Sequence, residues 1–249
     1  MEILGYLFSI IIGVSLGLIG GGGSILTVPV LVYIFKEDAV TATAYSLFIV
    51  GLTSAVGSVG YFKNGLVNVK TAIIFGIPSI IAVFLTRAYI VPAIPKELFT
   101  VGSFLVTKNI LLMLLFAALM VAASYSMIKK PKQVAADANQ KQSFNYPLIL
   151  IEGAVVGLLT GLVGAGGGFL IIPALVVLSK LPMKEAVGTS LVIIALKSLI
   201  GFFGESSETA IHWPFILTIS AFAISGIFVG MYFSKKIDGN KLKPAFGWF

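Results

Sequence analysis

The chain has 249 residues, 58% of them hydrophobic and 11% charged, with a formal net charge of +7, one histidine and no cysteine. Soluble domains carry about 25% charged residues; here long uncharged runs recur without regularly spaced polar faces, which specifies an integral membrane protein. Disulfides, thiolate chemistry and cysteine metal centres are excluded, and lysines placed between apolar runs speak for membrane orientation, not for nucleic acid.

Ile3 to Ile19 is the first apolar segment. No basic n-region precedes it, so it reads as a retained segment and not as a cleaved leader. Gly20 to Gly23 then remove side chains from four successive positions, each weakening a helix by about 1 kcal/mol relative to alanine. Ile25 to Phe35 reaches only about 16 Å at 1.5 Å per residue, half of the hydrocarbon thickness. It either completes the first helix after an unwound centre or turns back as a re-entrant half-helix. After the polar turn Lys36-Glu37-Asp38, Ala39 to Tyr61 spans with many small and hydroxylic residues, suited to close helix packing. Lys63 to Lys70 is a basic loop, and Val69 to Val91 spans again, kinked at Pro78 and ended by Pro92 and Pro95. The run from Leu98 to Ile128 holds a helix near Phe104 to Met127 behind an entry segment.

The polar stretch 129–145 is the one substantial hydrophilic linker. Beyond it come Tyr146 to Val163, a second glycine cluster, a short run from Phe169 to Leu178, the basic loop Lys180 to Lys184, and a span from Glu185 to Phe203 containing Lys197. A polar loop with Glu205 and Glu208 leads to a last span, His212 to Phe233, and a basic tail. The expected organisation is a first transmembrane repeat with a connecting helix (1–128), a cytoplasmic linker (129–145), a second repeat (146–236) and a cytoplasmic tail (237–249).

The two glycine clusters are copies. Leu18-Ile19-Gly20-Gly21-Gly22-Gly23-Ser24 through Pro29 matches Leu162-Val163-Gly164-Ala165-Gly166-Gly167-Gly168 through Pro173 without a gap, at an offset of 144. The register extends to Gly13 with Gly157, Lys36 with Lys180, Ser46 with Ser190 and Gly60 with Gly204. If both broken segments are hairpins, five passages separate the repeats and the second is inverted. The basic loops then share one side, with 12 of the 17 basic residues. That asymmetry favours an outside N-terminus, an inside C-terminus and inverted halves over parallel ones. The expected fold is an all-α polytopic membrane protein of about 7–9 membrane segments, with two inverted-topology repeats whose helices are broken or re-entrant after the Gly-rich motifs.

A break at mid-depth exposes backbone groups that must face protein, water or substrate. Half-helices beginning after the clusters point N–H groups and a positive dipole end inward, a cradle for an anion. The expected substrate-binding residues are Gly21, Gly22, Gly23 and Ser24 in the first break, with Ser24 as its cap, and Gly166, Gly167 and Gly168 in the second. Tyr45, Ser46, Thr189 and Ser190 are hydroxyl donors from the next helices, and Lys197 neutralises or gates the anion. The competing readings are that the glycines only permit close packing and that Lys197 snorkels to the outer surface. Glu152 reads as an interfacial carboxylate, with proton coupling as the alternative. Glu205, Glu208 and His212 read as a solvated loop, and no metal or cofactor is expected.

The duplicated glycine–proline motif, with Ala44-Tyr45-Ser46-Leu47 and Gly188-Thr189-Ser190-Leu191 in the following helices, resembles the sulfite exporter TauE/SafE family over nearly the whole chain. Tyr45, where the second half has Thr189, departs from the motif and makes the half-sites unequal. The resemblance implies a multi-pass permease of a bacterial or archaeal plasma membrane for sulfur-containing anions: sulfite, sulfoacetate, taurine-related sulfonates or thiosulfate. It is not an enzyme, since no nucleophile–base set is visible, and no Gly-Lys-Ser/Thr phosphate loop points to ATP. Proton or ion coupling is the default, and membrane lipid is the surrounding partner. The expectation is a secondary exporter of such anions; import of thiosulfate is the alternative, and a channel ranks lower.

Overall fold

The computed structural model describes residues 2–95, 97–101, 104–128, 146–163, 167–203 and 211–248. Helix α1 (Glu2–Ile19) stops at the first glycine cluster, and α2 (Gly22–Pro29) runs on into a π-helical turn, Val30–Ile34. Helices α3 (Ala39–Lys63) and α4 (Val69–Leu85) follow; a second π-turn (Thr86–Ile90) and the short α5 (Val91–Ala93) prolong α4. After strands β1 (Glu97–Val101) and β2 (Phe104–Thr107) come α6 (Lys108–Ile128) and α7 (Tyr146–Val163). Next is α8 (Gly168–Pro173) with its π-turn Ala174–Leu178, then α9 (Met183–Phe203), α10 (Trp213–Lys236) and α11 (Gly239–Trp248).

Among the described residues five helical stretches are long and apolar enough to cross a membrane: Ala39–Lys63, Val69–Ala93, Lys108–Ile128, Met183–Phe203 and Trp213–Lys236. Shorter apolar helices lie at Ile3–Ile19, Gly23–Ile34, Pro147–Val163 and Gly168–Val177. The protein is a polytopic, overwhelmingly helical membrane protein. Exposed Ile73, Ile77, Ile81 and Phe84 form an apolar stripe on α4 suited to lipid. The linker expected at 129–145 lies outside the described residues.

One element differs from expectation. The stretch before α6 is an antiparallel hairpin, pairing Thr100 with Leu105 and Val101 with Phe104, and α6 begins only at Lys108. Thr100, Val101, Val106 and Thr107 are β-branched, which lowers their helix propensity and fits a strand pair.

The short helices end alike. Pro29 and Pro173 carry no N–H, and the next turn slips to wider bonds: Phe35 N–H to Val30 carbonyl, Ser179 N–H to Ala174 carbonyl. Lys36 (φ 61°) and Lys180 (φ 53°) then take the left-handed conformation. Glu37 N–H bonds back to Leu31 carbonyl, and Leu181 N–H to Leu175 carbonyl, closing each end as helix C-caps do. The α2 segment folds back along α1: Gly23 lies against Ile12 and Leu16, and the Phe35 ring fills the space beside Gly5.

Glycines set the packing of the long helices. Gly13 and Gly17 of α1 meet Ala223 and Ile227 of α10, while Gly226 and Gly230 of α10 meet Ile10 and Val14, so the two helices run parallel, backbone on backbone. Gly153, Gly157 and Gly161 of α7 meet Phe75, Ser79 and Val83 of α4 in the same manner. Adding 144 to Gly13 gives Gly157, and subtracting it from Ala223 gives Ser79. Helices α3 and α9 form the enclosed centre and cross antiparallel: Leu47 meets Gly201, Gly51 meets Leu199, Gly57 meets Leu191, and the Phe48 and Phe202 rings lie 5.3 Å apart.

Candidate functional site

The candidate site is the place where the two short helices begin. Gly20 (φ +78°) and Gly167 (φ +78°) hold a backbone conformation that side chains rarely adopt, which lets the chain turn sharply there. The starts of α2 and α8 touch: a methyl on Gly21 would stand 2.5 Å from the carbonyl carbon and oxygen of Gly168, and one on Gly168 would stand 2.6 Å from Gly21 Cα. A methyl on Gly20 would stand 3.1 Å from Ser190 Oγ. Gly22 opens α2. Gly23 serves packing against α1, and Gly166 lies outside the described residues.

Neither short helix has a side-chain N-cap. By contrast, Asp38 accepts from Val40 N–H (2.9 Å) at the start of α3, and Asn68 from Thr71 N–H (3.0 Å) at the start of α4. The expectation that Ser24 caps the first break is corrected. Ser24 Oγ donates back to Gly21 carbonyl at 2.7 Å, because it stands three residues into the turn and not before it. The first N–H groups of a helix have no partner within it, so uncapped starts present donors.

Lys197 is fully buried, which corrects the snorkelling alternative. Its Nζ donates to Thr160 Oγ1 at 2.9 Å and crowds Gly167, where an added methyl would collide with both Nζ and the Thr160 side chain. Position 167 favours glycine both by its left-handed backbone (φ +78°) and by this crowding. The position 144 residues earlier is Thr53, whose Oγ1 donates to Ile49 carbonyl at 2.7 Å, so the two halves differ by one charge at this point.

The four hydroxyl residues divide. Ser46 and Ser190 are fully buried; Ser190 Oγ donates to Val187 carbonyl at 2.8 Å, and Ser46 Oγ has no hydrogen-bond partner. Tyr45 Oη accepts from His212 N–H at 3.1 Å, and Thr189 Oγ1 accepts from Asn68 N–H at 2.9 Å. These two bonds are again 144 residues apart at both ends. Each pins the chain entering one helix, α10 or α4, to the central helix of the other half.

Sequence reasoning does not find Arg87 or Thr160. Arg87 is 1% exposed and donates through Nη1 to Thr43 Oγ1 at 3.2 Å. Its signal was weak because it stands five residues before Pro92, where a span was expected to end. Glu152, seven residues into α7, has both carboxylate oxygens enclosed and without a hydrogen-bond partner. Glu205 and Glu208 lie outside the described residues. Among the described residues no group of three His, Cys, Asp or Glu side chains could hold a metal ion.

A cavity of about 410 Å³ opens at the far ends of α3 and α10, lined by Asn64, Lys184, Lys235 and Ser234 among others. Buried Tyr61 closes it toward the first break, its Oη bonded to Gly17 carbonyl (3.0 Å) and Ser234 Oγ (2.9 Å).

Enclosed polar groups at helix breaks, surrounded by apolar helices, define a membrane transporter. The family profile described as "Sulfite exporter TauE/SafE" matches residues 6–249, and the chain belongs to that family. It is 28% identical to "Probable membrane transporter protein YunE" of Bacillus subtilis, over 94% of this chain and 90% of that protein. It is 26% identical to a "Probable membrane transporter protein" of Xylella fastidiosa, over 95% and 87%. A match of 37% identity to "Probable membrane transporter protein MJ0441" of Methanocaldococcus jannaschii covers 41% of each chain. No solved structure matches.

Proposed function

We propose that the protein is a secondary transporter that exports small sulfur-containing anions, such as sulfite or organosulfonates, with the anion bound where the two short helices begin. The observation that carries this reading is the meeting of Gly21 with Gly168 beside the fully buried Lys197. A charge in that setting is costly unless a ligand or partner uses it, and uncapped helix starts favour negative charge. Gly21, Gly22, Gly167, Gly168, Ser46, Ser190 and Lys197 form the site, and Tyr45 and Thr189 hold its frame.

The two halves are inverted repeats. The antiparallel crossing of α3 with α9, equivalent helices 144 residues apart, supports this, as do the paired contacts at the same offset. The fold-back of α2 along α1 supports the hairpin reading, which sets the N-terminus outside and the linker, the Lys180 loop and the C-terminus in the cytoplasm. The cavity holding Lys184 and Lys235 is then the inner mouth, suited to collecting an anion bound outward. Glu152 is the acidic group available for proton coupling.

The test is flux in liposomes holding the purified protein, with labelled sulfite, methanesulfonate, taurine and thiosulfate, with and without a pH gradient. Protein-dependent flux of at least one sulfur anion, competed by the others, is expected. Flux of none overturns the proposal.

A further inference from the structure

Helix α1 ends two residues beyond Gly17, so the Gly17 carbonyl is among the last four that find no N–H within the helix. The Leu16 carbonyl before it still takes the Gly20 N–H, at 2.7 Å. The Gly17 carbonyl takes the Tyr61 hydroxyl, at 3.0 Å. A carbonyl only accepts, so the single phenolic proton goes there, and Ser234 Oγ donates to Tyr61 Oη at 2.9 Å. One buried side chain of α3 thus ties the end of α1 to the end of α10.

The tyrosine stands between two places. It lines the cavity of about 410 Å³ together with Ser234, Lys184 and Lys235. Its other neighbours are walls of the first break. A methyl on Gly188 of α9 would stand 3.0 Å from Tyr61 Cβ. Beside Gly188 on that helix, Val187 and Ser190 lie against Gly20, where a methyl would stand 2.9 Å from Val187 Cγ1 and 3.1 Å from Ser190 Oγ. The backbone at the end of α3 is fixed. The Tyr61 carbonyl accepts from Leu66 N–H at 3.0 Å, and the Leu66 carbonyl is seated on Gly188, where a methyl would collide with it. The ring is the part free to swing, and the cavity beside it gives it room.

We propose that Tyr61 is the inner gate, latched shut by its bonds to Gly17 and Ser234, and that its ring swings into the cavity to let an anion pass between the inner mouth and the Gly21–Gly168 site. The inference rests on the transport reading above. Swinging frees the Tyr61 and Ser234 hydroxyls, which then donate to the oxygens of the passing anion. It also uncaps the last turn of α1, so opening the mouth loosens one wall of the first break. The positions 144 residues away are Glu205 for Tyr61 and Ile90 for Ser234, so the repeat does not carry this hydroxyl pair to the other side.

The experiment is thiol labelling of the purified full-length protein, which has no cysteine of its own. Ser190→Cys puts a thiol at the fully buried position beside Gly20, and Ser9→Cys, equally buried toward the far end of α1, is the control. The probe is sulfonatoethyl methanethiosulfonate, and the rate of modification is read by mass. With Tyr61 in place both thiols are expected to react slowly. Tyr61→Phe keeps the ring and loses the latch, and is expected to speed labelling of Ser190→Cys on the order of tenfold, about the worth of one net hydrogen bond, while leaving Ser9→Cys unchanged. Tyr61→Ala removes the ring and is expected to speed it further; if that variant does not fold, Tyr61→Phe carries the test. Fast labelling of Ser190→Cys with Tyr61 in place, an unchanged rate in Tyr61→Phe, or an equal rise at both thiols overturns the gate. Labelling needs no transported anion, so such a result beside flux in the liposome assay leaves the transport reading standing. Absence of flux for every sulfur anion overturns both.

Discussion

Replacing Lys197 by methionine separates what this residue does for the ligand from what it does for the fold. The ammonium is wholly buried, and the hydrogen bond it makes is to Thr160 Oγ1. Thr160 also donates to Gly157 carbonyl at 3.2 Å, so it keeps a partner when the lysine is gone. Methionine has nearly the same length and no charge to desolvate. Exchange of buried ionic groups for apolar ones of similar volume is neutral or stabilising by roughly 1–4 kcal/mol, so thermal stability in detergent should hold or rise. The anion loses a unit-charge interaction. At separations of about 4–7 Å and an effective dielectric of 20 this is about 2–4 kcal/mol, or roughly 50- to 1,000-fold in affinity. The assay pairs a thermal melt of the purified variant with the concentration dependence of liposome uptake. An unchanged apparent affinity, or a melting point that falls as affinity does, would refute the reasoning by making Lys197 a structural residue.

Other substitutions test the remaining contacts. Gly168→Val should stop transport while leaving insertion intact, because its side chain meets the backbone of Gly21 and Gly20 where the two short helices touch; flux, with expression as the control, checks it. Gly13→Val should force α1 away from α10, whose backbone lies directly against it, and cost about 3 kcal/mol or more; a melt in detergent reads the loss. Tyr61→Phe removes the bonds to Gly17 carbonyl and Ser234 Oγ and should cost about 1–3 kcal/mol; the same melt checks it. Because the chain has no cysteine, Glu2→Cys and Lys236→Cys can be labelled singly in intact cells with an impermeant thiol reagent. Only Glu2→Cys should react; labelling of Lys236→Cys instead would reverse the orientation.

Much of the frame was legible because membrane proteins write it in composition. Long apolar runs, four glycines in a row and a proline at a fixed distance are local signals, and each maps onto a local event: a helix, a break, a slipped turn. The pairing of Gly13 with Ala223 was not legible, since a glycine announces close approach without naming what approaches. The hydroxyls show the same limit. Tyr45 and Thr189 stood out by type and by motif, yet their partners, His212 and Asn68, are more than 120 residues away and are found only in three dimensions. Arg87 was missed for a different reason: one charge near a proline looks like the end of a span, and only the extra turns of Thr86–Ala93 carry it inside. The strands at 97–107 were hidden in an apolar run whose β-branched residues are uninformative at that length.

The seating of α1 on α10 has a consequence for biosynthesis. The ribosome delivers α1 long before the glycines that receive it, Gly226 and Gly230, emerge. Through most of translation the opening hairpin sits in lipid with its own glycine face uncovered. Helix α7, by contrast, finds α4 already waiting. A nascent chain that stops before Ala223 leaves the hairpin without its seat, its glycine face still uncovered.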